Sequence, residues 1–89
     1  MARFEILIKR SAAKEIEAIS RKKDRQRIVR KIQLLAENPR PPGCQKLSGR
    51  DRYRIRQGPY RIVDSVEDDR LIVYVIKVGH RSDVYRGRL

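Results

Sequence analysis

At 89 residues, with a formal net charge of +12 and 38% charged side chains, the chain is sized for one domain, residues 1–89, with a modest core. That charge works against compaction and calls for a polyanionic partner: nucleic acid, an anionic membrane or an acidic protein. No apolar run reaches the roughly 18–20 residues of a membrane span, no signal-peptide pattern opens the chain, and the single cysteine, Cys44, leaves no internal disulfide, so a reducing cytoplasm is the expected compartment.

In chain order, Phe4, Ile6 and Ile8 alternate with Arg3, Glu5, Leu7 and Lys9, which predicts a strand over residues 2–9. Ser11 stands where a helix N-cap is expected, and Ala12, Ala13, Ile16 and Ile19 form one apolar stripe behind it. After the basic run RKKDRQR, a second helix places Ile28, Ile32, Leu35 and Ala36 on its inner face and Arg27, Arg30 and Lys31 outside. It ends at Asn38-Pro39. The stretch NPRPPGCQKLSG reads as a loop. Three strands follow: residues 52–57 and 60–66 around the turn signal Gly58-Pro59, then the apolar run LIVYVIKV after the turn Glu67-Asp68-Asp69-Arg70. So continuous an apolar strand is expected to be central and covered on both faces. The order implies an α+β domain: an N-terminal strand, a helical hairpin, and a three-stranded antiparallel meander under the helices.

The chemistry is bounded first by what is missing. One histidine and one cysteine build no zinc site, and neither GxxxxGK[ST] nor GxGxxG occurs. The acids Glu67, Asp68 and Asp69 cluster in a turn, with no second cluster to form a two-metal cleft. No cofactor and no metal are expected. What remains is cationic and aromatic. Arginine recurs at positions 50, 52, 54 and 56, so a strand presents these guanidiniums on one surface while Tyr53 and Ile55 point the other way. Arg61 lies on the next strand, and Arg81 and Tyr85 follow the last.

Guanidiniums match phosphate oxygens and stay charged at any working pH, and tyrosine supplies a ring for stacking and a hydroxyl for proton transfer. The set suits RNA cleavage without a metal, because the ribose 2′-hydroxyl is itself the nucleophile. Plain phosphate binding needs no such geometry, and composition alone favours a basic nucleic-acid-binding domain over a nuclease. Arg21, Lys22, Lys23, Arg25 and Arg27 read as a solvated or phosphate-tracking helix end. Tyr53, Tyr60 and Tyr74 interleave with apolar neighbours and read as core or edge packing.

The segment KVGHRSDVYR, with the central YRIR, the YRIV after the turn and the earlier PPGCQKLSG, closely resembles the RelE toxins of the RelE/ParE superfamily of bacterial and archaeal toxin–antitoxin proteins. The likeness covers nearly the whole chain. It implies a microbial-RNase-like α+β fold and a ribosome-dependent endonuclease that cuts A-site mRNA by 2′-hydroxyl attack, leaving a 2′,3′-cyclic phosphate. It also implies an acidic RelB-like antitoxin that covers the basic surface, contacts to rRNA, and operator DNA engaged only through the toxin–antitoxin complex.

Carried over by position, the resemblance assigns catalysis to Arg54, Arg56, Arg61, Arg81 and Tyr85. The basic residues Arg50, Arg52, Lys46, Arg86 and Arg88 are expected against the RNA. The well-known RelE enzyme has lysines where this chain has Arg54 and Arg56. Arginine does not serve as a base, so these two are assigned to phosphate and transition-state binding. His80 is a candidate proton donor to the leaving 5′-oxygen, and equally a packing residue at a strand end. Asp64 falls in register with Ile62 and Val66 on a core-like face, where it pairs with an arginine or reaches an edge. A non-nuclease toxin of the ParE kind, which poisons DNA gyrase, and an inactive RNA-binding relative are the alternative readings.

Overall fold

A computed structural model describes residues 3–47 and 51–80. The elements run β1 (Glu5–Ile8), α1 (Arg10–Glu17), α2 (Lys22–Leu34), β2 (Gln45–Lys46), β3 (Arg52–Gln57), β4 (Tyr60–Glu67) and β5 (Ile72–His80). The five strands form one sheet in the order β1-β5-β4-β3-β2. The neighbouring pairs β5–β4, β4–β3 and β3–β2 are antiparallel, and β1 lies parallel to β5. The expected meander is therefore present, and two features extend it. The two-residue strand β2 forms inside the segment read as loop, where Gln45 faces Arg54 and Lys46 faces Tyr53. The first strand joins the far edge of the sheet through the crossover that the helices make.

The helices cover one face of the sheet. Ala12, Ile16, Ile19, Ile28, Ile32 and Leu35 meet Tyr53, Ile55, Ile62, Val66, Val73, Val75 and Val78 in one core, with Phe4, Ile6 and Tyr60 packed at its margin. α1 begins one residue before Ser11, and Lys9, not Ser11, is its N-cap, with no side-chain capping bond. The reason is local. The Lys9 N–H still bonds the Val75 carbonyl at 2.9 Å while its own carbonyl accepts from Ala13 N–H at 2.9 Å, so strand passes into helix without a linker that a cap would close. Between the helices, Arg25 donates Nη1 to the carbonyls of Ile19 and Ser20. One of the basic residues read as a solvated helix end is thus a brace for the interhelical turn.

β5 is interior in the sheet, but its faces alternate: Val73, Val75 and Val78 are buried while Tyr74 is exposed. It is not covered on both sides, because the helices occupy one side only. The more buried strand is β4, where Arg61, Ile62, Val63, Asp64 and Val66 are all enclosed. A β-bulge between Val63 and Asp64 shifts the β4–β5 register, which re-aims β5 so that Val75 and Val78 both face the core. Beyond Val75, β5 outruns β1, and α1 closes the remaining edge: Glu15 accepts from the Val78 N–H at 3.0 Å and from Lys77 Nζ at 2.8 Å.

Candidate nucleic-acid interface

The face of the sheet away from the helices is read row by row from the strand register. Residues directly opposite one another share a face. Arg56 faces Arg61, which faces Gly79; Arg54 faces both Gln45 and Val63; Arg52 faces Ser65, which faces Tyr74. With Tyr53 and Ile55 buried in the core, the alternation read in the sequence holds: Arg52, Arg54 and Arg56 lie on the outer face together with Arg61.

Three of these side chains converge. Arg54, Arg56 and Arg61 line a hollow of about 480 Å³ whose other described walls are Pro42, Gly43 and Gln45. No acidic residue stands among these lining residues. Arg61 is only 6% exposed, and it is held by the hairpin turn: its Nη1 donates to the carbonyls of Gly58 at 3.1 Å and Tyr60 at 2.9 Å. Gly58 takes φ +58°, a backbone that glycine adopts at little cost. The turn thus fixes the guanidinium through one nitrogen, leaving the Nη2 and Nε donors for an anion.

Among the described residues no carboxylate pairs with Arg61. A nearly buried cation without a counter-charge, set directly across from a second arginine, opposes folding. Such an arrangement is stabilised when a phosphate enters.

The loop wall is anchored from outside the hollow. Arg40 forms a bidentate pair with Asp68 at 2.9 and 2.8 Å, donates Nε to the Tyr53 hydroxyl at 2.9 Å, and lies 4.9 Å from the centre of the Tyr53 ring. Hydrogen bonding from Arg40 holds the Asp68 carboxyl below its ordinary range. A further turn, Cys44 N–H to Pro41 carbonyl at 3.1 Å, with Gly43 at φ +90°, sets Pro42 and Gly43 at the rim. Gln45 accepts a hydrogen bond from Arg54 Nη2, so β2 supplies a side chain that orients one of the cations.

The other sequence-assigned residues divide. Lys46, opposite Tyr53, falls on the alternate face from Gln45 at the exposed edge. Arg52 lies two residues along β3 from Arg54, outside the hollow. His80 does not line the arginine hollow: it faces Tyr60, on the side of the sheet that carries Ile62 and Val78, with the two rings 6.0 Å apart and edge to face. Arg50, Arg81, Tyr85, Arg86 and Arg88 lie outside the described residues.

Asp64 reaches no edge, and among the described residues no arginine hydrogen-bonds it; Arg40 acts on it through charge alone. Asp64 is 0% exposed, and both carboxyl oxygens lack a hydrogen-bond partner among the described residues. Burial pushes its pKa up to about 7, against a smaller opposing pull from Arg40. Gln45, Pro42 and Gly43 were not identified from sequence. The only signal for Gln45 was its alternation with Lys46 beside the K-L-x-G segment.

Among the described residues no group of three His, Cys, Asp or Glu is placed to hold a metal ion, and no helix is long and apolar enough to cross a membrane.

The family model of the ParE toxin of the type II toxin–antitoxin system parDE matches residues 6–85. A RelE-like toxin protein of Escherichia coli is 32% identical over 87 residues, spanning 93% of this chain and 90% of that protein. Among solved structures, the chain is similar to a doubly substituted mutant of E. coli toxin RelE in the free state, with TM-score 0.75 and 33% identity over 97% of this chain and 93% of that one. It is similar also to the toxin in the intact E. coli RelBE complex, with TM-score 0.74 and 28% identity over 89% and 96% of the respective chains. A toxin–antitoxin complex from Mycobacterium tuberculosis shares the fold at TM-score 0.79 and 19% identity over 93% and 97%. With a family model spanning nearly all of the chain and RelE structures superposing on its sheet and helices, the chain belongs to the RelE/ParE family of toxins of type II toxin–antitoxin systems.

Proposed function

We propose that this toxin is a ribosome-dependent, metal-independent mRNA endonuclease whose scissile phosphate binds in the hollow between Arg54, Arg56 and Arg61. The observation that carries this reading is the hollow itself: three guanidiniums from two adjacent strands, no acid among its described lining residues, and one of the three nearly buried and clamped by a turn. In the reaction the ribose 2′-oxygen attacks the adjacent phosphorus, the bond from phosphorus to the 5′-oxygen breaks, and a 2′,3′-cyclic phosphate and a 5′-hydroxyl result. The 2′-hydroxyl loses a proton and the leaving oxygen gains one. Arg54, Arg56 and Arg61 neutralise the charge that grows on the non-bridging oxygens, as preorganised donors do best where water is scarce.

The polar side chains among the described lining residues are arginine and glutamine, residue types that do not serve as a general acid or base. Proton movement falls to Tyr85 and positioning to the ribosome, with Arg81 as a further phosphate ligand. Both of those assignments rest on the resemblance. Slow cutting of naked RNA follows. An acidic antitoxin covers the same arginines and silences the toxin in the cytoplasm; the net charge of +12 and the RelB–RelE complexes among the relatives support that partner.

Primer extension on mRNA bound to programmed ribosomes tests the reading. Wild-type protein should give discrete A-site cuts and Arg61→Ala none, with the thermal transition preserved. Undiminished cutting by Arg61→Ala removes the hollow from the mechanism.

The ParE description of the matching family model favours a second reading, a toxin acting on DNA gyrase. Inhibition of supercoiling in a parallel assay, with mRNA left whole, would establish that reading in place of the first.

A further inference from the structure

Outside the arginine hollow, the outer face of the sheet carries a second recess of about 480 Å³, lined by Lys9, Asp51, Arg52, Ser65, Tyr74 and Ile76. Its floor is the row in which Arg52 faces Ser65, Ser65 faces Tyr74, and Tyr74 faces Leu7. Tyr74 is 38% exposed, and Leu7 beside it is exposed as well. The ring is thus presented on a sheet face that the helices leave open, with cationic side chains from two strand regions, Lys9 and Arg52, around it. An aromatic platform rimmed by cations is the arrangement that stacks an unpaired base and holds its phosphate.

Position on the strand ties the two recesses together. Arg52, Arg54 and Arg56 share one face of β3, so at strand spacing Arg52 stands about 7 Å from Arg54 and about 13 Å from Arg56. A single strand of roughly two or three nucleotides bridges that span. Asp51 is the one acid among the described lining residues of the recess; it repels a phosphate and accepts a hydrogen bond from a base edge. It therefore favours an orientation with the base toward Asp51 and Tyr74 and the backbone toward Arg52 and Lys9.

We propose that the Tyr74 recess is a second RNA subsite, which stacks a nucleobase flanking the phosphate held in the arginine hollow. The location of the flanking phosphate rests on the reading of that hollow given above; the stacking itself does not.

The test uses the full chain, without ribosomes, and short single-stranded RNAs carrying the fluorescent base 2-aminopurine at successive positions. Wild-type protein should quench the probe strongly at one position only. Tyr74→Leu, which keeps apolar bulk but removes the ring, should abolish that quenching and weaken binding about tenfold, whereas Tyr74→Phe should retain both. Arg52→Gln should lower the slope of log affinity against log salt by about one. Matched thermal transitions confirm that the variants are folded.

Unchanged quenching and affinity in Tyr74→Leu would overturn the subsite, and so would Tyr74→Leu losing antitoxin binding while RNA binding is intact, since the face would then be a protein contact. The two readings fail separately. If Arg61→Ala still cleaves but Tyr74→Leu loses its quenching, the hollow falls and the stacking site stands. If Arg61→Ala is inactive and Tyr74→Leu behaves as wild type, the reverse holds.

Discussion

The two faces of the sheet are built from the same strands and have opposite requirements. Under the helices, Ile55, Ile62, Val66, Val73, Val75 and Val78 are packed against Ile28, Ile32 and Leu35. There each buried side chain contributes on the order of 1.5–3 kcal/mol by leaving water. On the open face, Arg52, Arg54, Arg56 and Arg61 line up across β3 and β4, an arrangement that repels itself. The first face supplies the stability that the second consumes. Each face also carries residues of the other kind: Asp64 is a carboxyl buried on the apolar side, and Val63 is an enclosed aliphatic on the cationic side. The separation is thus set by strand alternation and is tolerant of exceptions.

The largest expected effect breaks the open face. Arg61→Ala should lower ribosome-dependent cleavage by about 100- to 1000-fold, the range seen when one preorganised transition-state donor is lost, with the melting temperature preserved, because losing its hydrogen bonds to the turn is offset by removing a buried cation that has no carboxylate partner among the described residues.

Breaking the other face should have the converse signature. Ile62→Ala empties a fully buried site and should cost about 2–5 kcal/mol in denaturant unfolding, while RNA affinity of the protein that remains folded is unaltered.

Asp64 tests the exception. Its folded pKa is raised from an ordinary 3.8 to about 7, so between those values the unfolded chain has already released a proton that the folded chain retains. Stability therefore falls as pH rises from about 4 through about 7. Asp64→Asn should remove that slope and stabilise the protein at pH 8 by about 2–4 kcal/mol, leaving cleavage intact. A wild-type melting temperature that is flat from pH 5 to 8 would refute this.

The smallest effect is expected at His80, which faces Tyr60 on the helix-covered side. His80→Gln should leave cleavage within about twofold, and a loss of about 100-fold or more, the size expected of a lost general acid, would return His80 to the chemistry.

Much of this was legible in the residues. The alternation of RYRIR gave both faces of β3 at once, the helical stripes gave their buried sides, and Asp64 announced itself by its register with Ile62 and Val66. What was not legible depends on non-local pairing. Two residues carry no periodicity, so β2 forms only because β3 offers Gln45 and Lys46 an edge, and with it Gln45 reaches Arg54. The run LIVYVIKV has no polar residue to mark its outward side before Lys77, so the exposure of Tyr74 follows from the single helical layer and not from β5 itself. The start of α1 likewise depends on a bond from Lys9 to Val75, far along the chain.

The mismatch in length between β1 and β5 has a consequence for handling the protein. Past Val75, the strand would present a bare row of donors and acceptors were it not for Glu15, which takes the Val78 N–H and ties down Lys77. Removing that carboxylate offers a neighbouring molecule a template for edge-to-edge pairing. Substitutions at Glu15 should therefore show themselves as precipitation at high concentration, and low yields of such variants would report on self-association, not on toxicity.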